Sequence, residues 1–145
     1  MTSHALLQKQ QAQAWLIYDL WRSSVITCPA FNGPVQFTLQ GWRHIIGATG
    51  HRKRTSDDTF RRLKLLPYAK DIIEKSSTIQ NISQRGRKIF YALEAVMEVE
   101  ENGSKQMRKV RVICVEDLKK NKIFYSVMDK KNARKKRLKR RWKKS

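Results

Sequence analysis

Apolar residues recur at helical spacing near the start of the chain and at strand spacing near its end. From about Ser3 to Arg22, Leu7, Ala14, Ile17, Tyr18 and Trp21 recur at three-, four- and seven-residue intervals. Gln8, Lys9, Gln10, Gln11 and Gln13 take the wet side, which predicts an amphipathic helix. Pro29, Asn32, Gly33 and Pro34 then break the pattern. Val35 to Thr38 alternates apolar and polar, as a short strand does, and Thr38 can cap a short helix through Gly41–Ile46 that Gly47 stops. The stretch from Ala48 to Thr55, with Gly50 and His51-Arg52-Lys53-Arg54, is expected to be an exposed loop. Ser56-Asp57-Asp58 supplies a cap and first-turn acids for a further helix through Phe60, Leu63 and Leu66. That helix should break at Pro67, after which Tyr68, Ile72 and Ile73 continue its apolar face.

Beyond residue 88 the period changes to two. Ile89, Tyr91, Leu93, Ala95, Met97 and Val99 alternate with Glu94, Glu98 and Glu100, acids expected to be solvent-facing or paired with Lys and Arg of a neighbouring strand. Asn102-Gly103 signals a hairpin. The return strand puts Val110, Val112 and Cys114 on one face and Arg111 on the other, and a turn over Asp117–Asn121 leads to a third strand, Ile123–Met128. The expected class is α+β: N-terminal helices followed by a curved antiparallel meander of three strands, with Val35–Thr38 as a candidate fourth. One domain over 1–129 is expected, with 1–33 as helix and linker and 34–128 as core; the tail 130–145 has only Ala133, Leu138 and Trp142 as apolar residues and should be disordered if left free.

Charge adds a function class. Lys and Arg total 32 against 12 Asp and Glu, a formal net charge of +20 over 145 residues. Eleven of those cations lie between Lys130 and Ser145, with Lys135, Arg137, Arg140 and Arg141 among them, yet the remainder still carries +9. A standing excess of this size implies an anionic partner, and neutralised phosphates would make the binding salt-sensitive. No apolar run is long enough for a membrane span, and the first residues lack a basic-then-apolar export signal, so cytoplasmic residence is expected. Cys28 and Cys114 form no zinc signature, and Cys114, in an apolar run, is expected to be a small core residue.

The segment with most chemical content is Gly41-Trp42-Arg43-His44-Ile45 followed by His51-Arg52-Lys53-Arg54. Two imidazoles near a phosphodiester can serve as general base and general acid, and neighbouring arginines can hold the non-bridging oxygens. Equally, His44 could be a packed, hydrogen-bonded residue and His51 a bystander in a basic loop. A metal site would need carboxylates or thiols nearby, and Asp57 and Asp58 fit helix-start positions instead. No metal and no cofactor are expected.

Val35-Gln36-Phe37-Thr38, Gly41-Trp42-Arg43-His44-Ile45, His51-Arg52 and Arg61-Leu63-Leu65-Leu66-Pro67-Tyr68-Ala69, with Val110–Val115 and Phe124-Tyr125-Ser126-Val127 at the end, together resemble phage-associated toxin domains of the barnase–EndoU–colicin–RelE-like ribonuclease superfamily. The likeness spans roughly residues 34–128. It implies a metal-independent endoribonuclease that cuts RNA, tRNA included, on a concave sheet face, by 2′-hydroxyl transesterification to a 2′,3′-cyclic phosphate. It places His44 and His51 as proton-transfer groups, Arg52 or Arg54 as phosphate ligand, and Tyr125 or Ser126 beside the scissile phosphate; strand alternation allows only one of the last two to face the site. Lys88 and Tyr91 would line the groove, and Arg43, Lys53 and Arg61 would add cationic contacts. A barnase-like glutamate base has no counterpart here, so a histidine would have to serve. An acidic antitoxin or immunity protein is the implied protein partner. The competing expectation is a non-catalytic basic nucleic-acid-binding protein.

Overall fold

A computed structural model describes residues 2–48, 55–101 and 103–129. Helix α1 (His4–Arg22) starts where the Ser3 hydroxyl accepts the Leu6 N–H at 3.1 Å, and it buries Ala14, Tyr18 and Trp21 on one stripe. A short strand β1 (Ile26–Cys28) turns back through a 3-10 turn (Pro29–Phe31) into β2 (Gly33–Gln36), pairing Ile26 with Val35 and Cys28 with Gly33. Asn32 closes that turn in the left-handed region, a conformation asparagine tolerates. Thr38 caps α2 (Leu39–Ile45) by accepting the Gly41 N–H at 3.2 Å. Helix α3 (Ser56–Leu65) is capped by Thr55, whose hydroxyl accepts the Asp58 N–H, so Ser56 is its first helical residue rather than its cap. A 3-10 turn at Leu66–Tyr68 containing Pro67 separates it from α4 (Ala69–Lys75).

Four strands follow: β3 (Asn81–Arg85), β4 (Lys88–Glu101), β5 (Ser104–Glu116) and β6 (Lys122–Asp129). The α+β class holds, but the sheet has six strands in the order β1-β2-β6-β5-β4-β3 and is mixed, because β2 runs parallel to β6. The expected three- to four-stranded antiparallel meander therefore undercounts it. The expected strand at Val35–Thr38 is shifted: it spans Gly33–Gln36, and Phe37 and Thr38 leave it to seat and cap α2. β1 escaped notice because three residues cannot display a period, and β3 because all five of its residues are exposed and only Ile82 is apolar. The hairpin expected at Asn102-Gly103 is present in the pairing of Glu101 with Ser104, with Gly103 at φ 78°; Asn102 itself lies outside the described residues, as do the expected loop between Ala48 and Thr55 and the tail from Lys130.

The core lies between one sheet face and the helices. Leu93, Val99, Val110, Val112 and Cys114 point from β4 and β5 toward Leu63, Leu66, Ile72 and Ile73. An aromatic cluster joins α1, α2 and β6: Phe37 stacks on Phe124 at 4.9 Å, with Tyr18 and Trp42 against them. Burial of each such ring contributes about 1.5–3 kcal/mol. The Tyr18 hydroxyl, fully enclosed, donates to the Thr38 carbonyl at 2.6 Å, and burial pushes its pKa well above the usual phenol value. No helix among the described residues is long and apolar enough to cross a membrane.

Candidate functional site

The site follows from how β6 is bordered. β2 pairs only with Lys122 and Ile123, so the remaining edge of β6 meets α2 and α3 instead of a strand. Gly41 makes that approach possible: a Cβ there would sit 2.6 Å from the Phe124 carbonyl oxygen and 2.6 Å from the Tyr18 hydroxyl. His44 lies one helical turn beyond Gly41, and its ring rests against Tyr125 with centroids 3.8 Å apart and planes 31° apart. From α3, Arg62 donates to the buried hydroxyl of Ser126 and, through Nε, to Asp58 at 3.2 Å.

A β-bulge decides which β6 side chains face this point. Cys114 pairs with Phe124 and Ile113 with Ser126, which leaves Tyr125 with no opposite number. One extra residue resets the alternation. Phe124 and Val127 go to the core, while Tyr125 and Ser126 both line the same groove. This corrects the expectation that only one of them could do so: strict alternation was assumed where the strand carries an irregularity.

The groove, of about 470 Å³, runs across the sheet face opposite the core. His44, Arg62, Tyr125 and Ser126 form one wall, and Asn81, Ser83 and Arg85 of β3 form the other. Ala92 and Ile113 lie between them as an apolar floor. Phe90 sets its ring edge-on to Tyr125 at 5.2 Å, and the Arg85 guanidinium lies 5.7 Å from the Phe90 ring. Arg111 also lines the groove, tied to Glu94 through Nε at 2.7 Å, and Lys109 reaches the other Glu94 oxygen at 3.1 Å. Glu94 is thus a paired acid beneath the groove's cations, not a solvent-facing one.

The other expected site residues are distributed differently. Tyr91 borders the groove, but its ring packs edge-on against Phe31 and its hydroxyl donates to Glu116 at 3.3 Å. Burial, then the Glu116 charge, raises the Tyr91 pKa. Arg61 pairs with Asp129, which Arg108 approaches at 3.7 Å, and it is not part of the groove wall. Arg43 and Lys88 are exposed outside the groove. His51, Arg52, Lys53, Arg54, Lys135, Arg137, Arg140 and Arg141 lie outside the described residues.

Sequence reasoning missed Arg62, Arg85, Arg111, Phe90 and the two polar residues Asn81 and Ser83. One signal could have found the β3 wall: Gly86, at φ 62°, is the first of two turn residues between the paired Arg85 and Lys88, the glycine position of a tight hairpin. Among the described residues no three His, Cys, Asp or Glu side chains cluster as metal ligands would. A scan against protein-family models, a search of curated proteins and a search of solved structures each returned no match to this chain.

Proposed function

We propose that the groove is a nucleic-acid site and that the chain is an RNA endonuclease working by proton transfer at His44. The observation that carries the reading is the convergence on one wall of an imidazole against Tyr125 and a guanidinium seated on a buried serine, in a groove that also collects Arg85 and Arg111. In this reading His44 accepts the 2′-hydroxyl proton or protonates the departing 5′-oxygen. The 2′-oxygen attacks phosphorus, the P–O5′ bond breaks, and a 2′,3′-cyclic phosphate and a 5′-hydroxyl result. Arg62, aligned by Asp58 and Ser126, donates to the non-bridging oxygens as charge grows on them. His51, seven residues after His44, is the candidate for the second proton transfer, and Arg52 and Arg54 are candidate phosphate ligands beside it.

The chemistry as written needs no metal or cofactor. A toxin role in the cytoplasm, held in check by an acidic protein covering the groove, is the biological setting that a net charge of +20 supports. The test incubates the purified chain with tRNA and total RNA in EDTA, beside His44→Ala, His51→Ala and Arg62→Ala. Cleavage to cyclic-phosphate ends is expected, with His44→Ala slower by roughly 10²- to 10⁴-fold. RNA that is shifted on a gel but left intact would make the chain a non-catalytic nucleic-acid binder. Cleavage only on addition of magnesium would overturn the metal-independent step.

A further inference from the structure

We infer that the β3 wall of the groove holds one unpaired nucleobase, so that single-stranded RNA is the form recognised; this rests on the nucleic-acid reading above and deepens it.

The register supplies the geometry. Asn81 pairs with Ala92, Ala92 with Ile113, and Ile113 with Ser126, so these four side chains form one row across four strands. Three inter-strand steps separate its ends, roughly 14 Å between backbones at the usual strand spacing. Side chains reach inward from both ends, leaving room for one nucleotide between them.

The two ends differ chemically. At the β6 end stand His44 and Arg62, suited to a phosphodiester. At the β3 end stand Asn81 and Ser83, both exposed, neither hydrogen-bonded through its side chain to another described residue. Between them the floor is the buried Ala92 and the half-buried Ile113, without a polar side chain. That sequence of surfaces, anion-binding then apolar then hydrogen-bonding, matches a nucleotide read from phosphate to base edge.

The surroundings supply stacking. Phe90 is next to Ala92 on the same face, and Arg85 lies over its ring. Among the described residues no carboxylate pairs with Arg85, unlike Arg62 and Arg111. An aromatic ring and an unneutralised guanidinium are the two side-chain types on which splayed-out RNA bases stack. Asn81 offers a donor and an acceptor side by side, as an unpaired base edge requires. In a duplex that edge is engaged by the complementary base, and freeing it costs a few kcal/mol.

The test measures binding of fluorescein-labelled single-stranded RNA hexamers, one for each base, and of the same strands annealed to their complements. Anisotropy at physiological salt reads affinity, and gels in EDTA read cleavage. Single strands should bind about tenfold tighter than duplexes, with one base favoured. Phe90→Ala should weaken single-strand binding by roughly 5- to 100-fold and leave duplex binding alone. Phe90→Leu, which keeps an apolar side chain against Tyr125 but no ring, should show the same loss with an unchanged melting curve. Asn81→Ala should flatten the preference among the four bases.

Equal affinity for duplex and single strand, or full single-strand affinity in folded Phe90→Leu, would overturn the inference. RNA bound with these dependences but never cut would sink the endonuclease proposal and leave the base site standing. RNA cut by wild type and by all three variants alike, without base preference, would do the reverse. No binding to either form would remove both.

Discussion

Replacing Gly41 with alanine tests the contact that aims His44. Two effects oppose each other. Alanine is a better helix former by about 1 kcal/mol. Its Cβ would lie 2.6 Å from both the Phe124 carbonyl oxygen and the Tyr18 hydroxyl, and neither can retreat cheaply. The first is backbone in β6, and the second is fixed by its bond to Thr38 in a side chain with no exposed surface. Overpacking at such a site costs about 1–3 kcal/mol, and two simultaneous collisions place it toward the upper end. A net loss of about 2 kcal/mol is expected, a fall of roughly 4–8 °C in melting temperature for a domain near this size. The same outward shift of α2 should draw His44 off Tyr125, so RNA cleavage should fall more than stability explains when assayed well below the melting point. Differential scanning calorimetry and a cleavage time course provide both readouts. A melting temperature equal to or above wild type would show that helix propensity outweighs the close approach and refute the reasoning.

Three further outcomes follow from the structure. Burial holds the thiols of Cys28 and Cys114 above the usual thiol range, so neither should react with Ellman's reagent at mildly alkaline pH until denaturant is added; rapid labelling of the native chain would contradict their burial. Glu116 is held below the usual carboxylate range chiefly by the Lys122 ammonium, and Asp117 chiefly by the Asn121 N–H. Their contribution should be complete above the unfolded-state values of about 4 and vanish as pH falls through the lower folded-state values. The pair Glu116→Gln with Asp117→Asn should therefore be less stable than wild type at neutral pH and converge with it in acid, and a pH-independent gap in urea melts would disprove the linkage. Ending the chain at Asp129 removes eleven cations and should flatten the salt dependence of RNA affinity, each lost phosphate contact reducing the logarithmic slope by about 0.7; an unchanged slope would mean that the tail does not touch phosphate.

The helices were legible because each carries its own instructions. Thr38 caps where its side chain promised, and Pro67 divides α3 from α4 where an interior N–H is missing. β4 and β5 were legible because a long two-residue period over one buried face admits few other readings. What escaped depends on neighbours distant in sequence. β3 exists by pairing with β4 and buries nothing, so no hydrophobic pattern marks it. The parallel contact between β2 and β6 joins residues more than eighty positions apart and leaves no local trace. His44 and Tyr125 were named from sequence, but Arg62 was not, because a helical arginine beside an aspartate resembles an ordinary surface pair until Ser126 comes to meet it.

The bulge in β6 has a consequence for how such a site could arise. Removing Tyr125 would leave Phe124, Ser126 and Val127 in regular alternation, with the same two side chains still directed into the core. Tyr125 is therefore supernumerary to the ladder: the fold is complete without it, and the groove is not. A single inserted codon is enough to separate a bare scaffold from one with an aromatic rest for His44, so gain or loss of the site is open to ordinary length variation with little cost to the architecture beneath it.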